Sequence, residues 1–383
     1  MPYKDLKKRN ASSAKRRRLL GAAAPPKGFA PRKVTTDGKG RVTAVQSVPK
    51  GAGHKFPIQP EGHRVKGLST LLDGEGNVAG QWIKTDASAA ARDGALLASL
   101  ERVLAKYRVP VLACPAPTSC DGETETYYPL GDPHIGMLAW APEVGGQSFD
   151  LKIAERELVR AVKLLVSRSP TSRVGVLVNV GDFFHAEDDK QRTPNGGNAL
   201  DVDCRAAKVL EVGFRLYRTL VDLMLQKHER VVAINAPGNH DPDMSRFLAV
   251  LLRALYEKEP RVEVCDALSP YIYRRFGANL VGVYHGDGAK REALSEIMAA
   301  DRPQDWGDTQ YRLWLTGHIH HETRKELRGC TVESFRTMAP RDYWHHWKGY
   351  RSERSLSAIT LHRDFGEQSR ITVGIREVQN NAP

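Results

Sequence analysis

The sequence lacks the features that would place it in several large protein classes. It has no apolar run approaching the roughly 18 residues that a membrane-spanning helix needs, so no span and no membrane partner are expected. Its five cysteines, Cys114, Cys120, Cys204, Cys265 and Cys330, are odd in number and scattered, with no CxxC pair. That argues against a disulfide framework or a thiolate zinc site, and makes a reducing compartment, the cytoplasm, the expected location. The N-terminal KKR and KRRR clusters flank only a short LLGAAA, too basic and too brief for a secretory signal. No Walker loop, GxSxG elbow or GxGxxG turn is present, so neither P-loop nucleotide hydrolysis nor serine hydrolysis is supported.

Acidic residues are scarce in one region only. Residues 1–50 carry 14 Lys or Arg against Asp5 and Asp37, while the remaining chain holds 43 residues of each sign. The whole excess of +12 therefore sits in one arm. Such an arm is suited to polyphosphate, binding it strongly, without sequence preference and with steep salt dependence; it is equally the composition of a solubilising tail, an import patch or a transit peptide.

At 383 residues the chain has room for one large domain and an appendage. Residues 1–50 read as a flexible basic arm, with a short basic helix around Leu6 to Leu20 and weak structure continuing to residue 60. Residues 51–125 read as a small α+β module and linker: VKGLSTLLDGEGNVAGQWIKT forms a hairpin, and Leu96, Leu97, Leu100, Val103, Leu104 and Tyr107 share a helical face. Residues 126–383 alternate strands and helices, the pattern of a sheet covered by helices. Helices are expected over Phe149–Val166, Leu200–Lys227 and Met244–Tyr256, and near Glu292–Ala300. A late run of strands points to a second sheet packed on the first.

Five of the strands end alike, in small residues followed by Asp, Asn or His: GDPH (131–134), GDFFH (181–185), GNHD (238–241), YHGDG (284–288) and GHIHH (317–321). Strand ends of an open α/β sheet converge on one edge, where ligands collect. A single such cluster is most simply a polar turn; five together are a site. Carboxylate, amide oxygen and imidazole without thiolate suit Mn2+, Mg2+, Fe2+ or Zn2+, and the number of donors suits two ions rather than one.

The ordered set DPH, GDFFH, GNHD, VYHGD and GHIHH resembles the calcineurin-like metallophosphoesterase superfamily across residues 126 to about 322. The resemblance implies an α/β fold, a four-layer αββα sandwich, around two divalent ions, with Mn2+ the first expectation. One ion would take Asp132, His134 and His320, the other Asn239, His285 and His318, with Asp182 bridging. His240 matches the position of a general acid or transition-state stabiliser. Many phosphatases of the superfamily carry a second aspartate where this chain has His185. The histidine resembles the nuclease subunit of double-strand-break repair complexes of the SbcD type, where it helps to orient the phosphodiester; an imidazole can donate to a phosphoryl oxygen that a carboxylate would repel. Little chain follows GHIHH for the capping domain and ATPase-binding helices of those subunits. The arm, the hairpin region and the short C-terminus resemble phage-encoded relatives, which would place the protein in a host cytoplasm.

The expected activity is phosphodiester hydrolysis by a hydroxide that two ions activate, most simply a DNA exonuclease or endonuclease, with His240 and His185 as catalytic residues and DNA as the partner of the arm. A small-molecule phosphodiesterase or phosphomonoesterase is the alternative, and a non-catalytic nucleic-acid-binding protein on the same scaffold the second. His321 and Glu322 read as surface, and loop 187–203 as a possible cover of the metals. The segment RDYWHHWKGYRSER (341–354) has the composition of a base-stacking surface, although core packing between sheets is favoured for it.

Overall fold

Val174, Val176, Val178 and Val180 fall on one face of a strand, with Gly175, Leu177 and Asn179 on the other, all but one of apolar or small type. A strand of this kind needs cover on both faces. The computed structural model supplies it. Residues 24–25, 29–37, 41–49, 63–73, 75, 77–87, 115–265 and 267–380 are described, and the chain divides into two units, Met1–Glu101 and Arg102–Pro383.

The first unit contains strands β1 (Phe29–Thr36), β2 (Val42–Pro49), β3 (His63–Leu72) and β4 (Val78–Ala87), an antiparallel sheet in the order β1-β2-β3-β4. The expected hairpin is β3–β4. The expectation of a flexible, weakly structured arm to residue 60 is corrected over residues 29–49: Phe29–Thr36 pairs with Val42–Pro49, and Val45 and Phe29 are buried. Alternation in VTAVQSV across a turn at Asp37 was the overlooked signal, masked by the basic composition. The basic segment at 6–20 and the helical face from Leu96 to Tyr107 lie outside the described residues.

The second unit runs β5 (Asp121–Leu130), α1 (Ala141–Val144), α2 (Leu151–Arg168), β6 (Ser172–Asn179), α3 (Ala206–Leu225), β7 (Arg230–Asn235), α4 (Pro242–Tyr256), β8 (Val262–Val264), β9 (Ile272–Phe276), β10 (Asn279–Val283), α5 (Leu294–Asp301), α6 (Pro303–Asp308), β11 (Tyr311–Thr316), β12 (Thr323–Leu327), β13 (Cys330–Ser334), α7 (Tyr343–Trp347), β14 (Ser355–His362), β15 (Gly366–Gly374) and α8 (Ile375–Asn380). One sheet has the order β15-β14-β5-β6-β7-β8, parallel from β5 to β8; the other has the order β12-β13-β11-β10-β9. Their facing sides share one core, in which Val174, Val176, Val178, Val232 and Ile234 meet Val281, Val283, Leu313 and Leu315. Helices α2, α3 and α4 cover the other side of the first sheet. On the outer side of the second sheet, Leu294 and Met298 of α5 pack with Leu280, Trp314 and Val332. The result is the expected αββα sandwich. Among the described residues no helix is long and apolar enough to cross a membrane.

Three differences from the sequence reading have local causes. Helix α3 starts at Ala206 rather than Leu200 because residues 201–203 pair with 136–138: Leu138 N–H donates to the Asp201 carbonyl (2.9 Å) and Asp203 N–H to that of Gly136 (2.9 Å). The late strands do not form a sheet of their own; β12 and β13 join the second sheet, whereas β14 and β15 return to the first, beside β5. Strand β9 and helix α6 were not anticipated, since YIYRRF and PQDWGD carry no clean period.

Trp314 is fully buried, and its indole N–H donates to the Leu294 carbonyl at 2.9 Å. Trp314→Ala is expected to cost about 3–5 kcal/mol, lowering the unfolding temperature by roughly 10 °C. A shift below about 2 °C in a thermal melt would show that this layer does not hold the sandwich together.

Candidate metal centre

Each polar cluster follows a buried strand, so its side chains are delivered by elements that cannot easily move. GDPH follows β5, GDFFH follows β6, GNHD follows β7, YHGDG follows β10 and GHIHH follows β11. Register locks the first three: Leu130 pairs with Asn179, and Asn179 with Asn235. Asn179 also donates to the Asn235 amide oxygen (2.8 Å) and accepts from Gly181 N–H (3.2 Å).

The backbone at these strand ends is unusual. Six non-glycine residues among those described have positive φ, and five are expected ligands: Asp132 (40°), His134 (47°), Asp182 (50°), His318 (71°) and His320 (56°). Each such conformation costs on the order of 1–3 kcal/mol and persists only where the surroundings enforce it, typically at functional sites.

All nine sequence-predicted residues come together. His134 Nε2 lies 3.0 Å from His320 Nε2, which is 4.0 Å from Asp132 Oδ2. His285 Nε2 lies 3.0 Å from Asn239 Oδ1 and 3.2 Å from Asp182 Oδ2. Asp182, His285 and His318 each offer a donor atom within 4.8 Å of the others. His240 Nε2 is 4.0 Å from Asp182 Oδ2, and its backbone N–H donates to Asp182 Oδ1 at 2.8 Å. His285 uses Nδ1 toward the Val180 carbonyl (3.1 Å) and His240 uses Nδ1 toward that of His185 (2.8 Å), leaving the Nε2 atoms for the centre. Orientation of a ligating imidazole through its other nitrogen is the usual support of such sites.

The His185 ring is buried at 1% exposure, as are those of His134 and His285. Its Nδ1 faces His134 Nδ1 at 3.2 Å, and its Nε2 has no hydrogen-bond partner among the described residues. If His134 turns its Nε2 lone pair to an ion, its Nδ1–H donates to His185, which then carries its own proton on the unpartnered Nε2. His134, His185 and His240 also form a second group of nitrogens within 4.8 Å.

Burial and charge set the protonation of the cluster. Burial drives His134 far below the usual imidazole range, helped by the neighbouring His320 and His240, and takes His185 and His320 down to about 3. These rings are neutral and can act as ligands at neutral pH. His285 runs the other way: burial disfavours its charge, but Asp182 and Asp132 outweigh that and raise it to about 10. Burial pushes Asp132 up to about 7. Burial would raise Asp182 too, but the His285 charge beside it holds it well below the carboxylate range.

The donors fit divalent cations. Two buried carboxylates stand beside the His285 imidazole, and the Nε2 atoms of His134 and His320 approach each other to 3.0 Å. The backbone leaves room for the carboxylates alone: a Cβ on Gly238 would stand 2.0 Å from Asp182 Oδ1, and one on Gly317 2.6 Å from Asp132 Oδ1.

Several supporting residues were not identified from the sequence. Asp241 is fully buried and accepts from Phe184 N–H (2.9 Å), Gly238 N–H (3.1 Å) and Ser245 Oγ (2.7 Å), tying GDFFH to GNHD and to α4. His345 stacks on His320 (4.7 Å between centroids, 26°) and bonds Asp342 through Nδ1 at 2.7 Å. The histidine pair in WHHW was the available signal, but the segment was read for its aromatics. Core packing, favoured for that segment, is corrected: Tyr343, Trp344 and Trp347 are exposed. His321 and Glu322 are exposed, as expected. Loop 187–203 runs from the second cluster toward α3, and Thr193 within it is buried.

No family model matches the chain, and no curated protein does. Solved structures similar to it include a conserved uncharacterised protein of Streptococcus pneumoniae described as a predicted phosphoesterase, with 11% identity, 66% of this chain and 98% of that one covered, and a TM-score of 0.27. Vacuolar protein sorting 29 of Cryptosporidium parvum shares 11% identity over 66% of this chain and 98% of its own, at a TM-score of 0.29. A 5'-nucleotidase precursor of Thermus thermophilus shares 13% over 65% of this chain and 53% of its own, at 0.27. Likeness of this degree carries no argument about activity; the strands and side chains above carry it.

Because His285 holds a proton up to about pH 10, a cation that takes its Nε2 must expel that proton across the neutral range. His134, His185 and His320 are already neutral there and release nothing. Ion binding is therefore expected to release at least one proton at pH 7 and to weaken roughly tenfold per unit as pH falls from 8, more steeply below about 7 where Asp132 also takes up a proton. Titration calorimetry in two buffers of different ionisation enthalpy reads the proton directly; identical enthalpies would remove His285 from the ligand set.

Proposed function

We propose that the chain is a divalent-metal-dependent phosphoesterase of the calcineurin-like kind that hydrolyses phosphodiesters, with DNA as substrate. The observation that carries the reading is the convergence of Asp132, His134, Asp182, Asn239, His285, His318 and His320 from four strand ends and GNHD onto one centre, with His240 Nε2 beside it. In the proposed assignment Asp132, His134 and His320 hold one ion, Asn239, His285 and His318 the other, and Asp182 serves both. Two such ions, Mn2+ in our reading, would neutralise charge developing on phosphorus and lower the pKa of the attacking water.

The chain's own groups do the rest. His240, held through Nδ1 by the His185 carbonyl, donates from Nε2 to the departing oxygen. His185 acts through His134, fixing its tautomer and the plane of its ring, in place of the phosphate contact expected from sequence. For DNA speak the excess positive charge of residues 1–50 and the exposed basic and aromatic side chains of 343–351. The neutral balance of the remaining chain favours the second reading, a small-molecule phosphodiesterase or phosphomonoesterase.

Purified protein with Mn2+ is expected to cleave linear duplex DNA, single-stranded DNA and bis-p-nitrophenyl phosphate. Cleavage of the small ester alone would replace DNA by a small molecule; no cleavage at all would leave a nucleic-acid-binding scaffold. His240→Gln should keep the metal content and lose about 100-fold or more in kcat. His185→Gln should weaken metal binding by no more than about 10–100-fold, the cost of losing a residue that orients a ligand; complete loss of one ion at saturating metal would make His185 a ligand. Strands β1 and β2 occupy residues 29–49, so the arm is best tested by deleting residues 1–23. DNA affinity should then fall and its salt dependence flatten; an unchanged slope would show that the arm does not touch the backbone.

A further inference from the structure

Four aromatic side chains within eight residues stand in solvent beside the metal centre: Tyr343 (52% exposed), Trp344 (50%), Trp347 (69%) and Tyr350 (39%). Isolated exposed apolar residues need no explanation, but a contiguous ridge of large rings marks a binding surface. The rings are arranged in advance. Trp344 and Tyr350 stack at 5.8 Å and 30°, and the Lys348 ammonium lies 4.7 Å from the Trp347 ring centroid and 6.0 Å from that of Trp344. Lys348 and Arg351 are exposed, so cations are interleaved with the rings.

The ridge is fixed to the centre. Asp342 caps α7 through His345 N–H (2.8 Å) and holds the His345 ring, which stacks on His320 at 4.7 Å and meets Tyr350 at 5.3 Å. A cavity of about 470 Å3 has His320, His345, Tyr350 and Arg341 in its wall, so it joins the candidate ligands to the ridge.

We propose that α7 and the turn after it form a stacking platform for unpaired nucleobases, which sets single-stranded nucleic acid, or a frayed end, as the substrate form of this site. The inference rests on the phosphodiester reading above and specifies it. Ring faces accept any base, each contact contributing about 1–3 kcal/mol, but a paired base is already stacked and offers only its edge. The residues from Tyr343 to Arg351 include no Leu, Ile, Val or Met, and the charges among the rings are cationic, a composition suited to bases and phosphates rather than to an apolar protein face.

The test titrates the full chain with a thymidine oligonucleotide, an abasic strand of equal length and a blunt duplex, reading tryptophan fluorescence and affinity. The base-bearing strand should quench the tryptophans and bind at least about tenfold more tightly than the abasic one. Replacing both Trp344 and Trp347 by Ala should erase that preference, replacing both by Phe should keep most of it, and Phe365→Ala, an exposed ring elsewhere, should change nothing. Unfolding temperatures of the four proteins confirm that each is folded. Equal binding of base-bearing and abasic strands, or a preference that survives the double Ala variant, overturns the proposal and assigns the ridge to a protein partner. Base preference without hydrolysis of any ester would instead sink the phosphoesterase reading and leave the platform standing.

Discussion

Asp132 and Asp182 are buried in the same few ångströms of protein, and the second unit is organised around keeping them there. Two carboxylates in a low-dielectric interior repel each other and lose hydration that only specific partners can replace. The chain gives them one imidazole, His285, and backbone donors from His318 to Asp132 and from His240 to Asp182. His134 and His320, which also stand beside them, are kept neutral by burial. The balance is incomplete in a particular sense: one proton on His285 stands where more positive charge is called for. A divalent cation answers that need, and the same reasoning explains why the site uses oxygen and nitrogen donors and no thiolate.

Holding such a cluster requires strain, and the strain is distributed over the strand ends. Left-handed conformations at five ligand residues turn the chain sharply at the close of β5, β6 and β11, aiming side chains inward instead of along the strands. They are kept in place by paired register between Leu130, Asn179 and Asn235, by the side-chain bonds of the two asparagines, and by Asp241, whose carboxylate gathers donors from two loops and one helix. None of these four residues is a candidate ligand. They are the reason the ligands have a fixed geometry.

Much of this arrangement is legible in the sequence because strand ends impose local punctuation. Valine runs ending in Gly-Asp or Gly-Asn-His announce both the strand and the group it delivers, so the αββα layers and the nine clustered residues could be read without coordinates. What was not legible depended on partners far along the chain. Whether His185 points to substrate or to His134 is decided by a residue 51 positions earlier. The exposure of Trp344 and Trp347 follows from His345 being drawn onto His320, a contact that no period in WHHWKGY reveals. Composition misled at residues 29–49, where basic residues on the solvent side concealed an ordinary β pairing.

Strands β14 and β15 return to the first sheet on the open side of β5, the strand that ends at Asp132. Until residues 355–362 have been made, β5 has a bare edge on that side. The strand that delivers the first candidate ligands is therefore completed late in synthesis. A ribosome could extend the polypeptide past every one of the five motifs and still hold a protein whose first carboxylate was not yet locked in place.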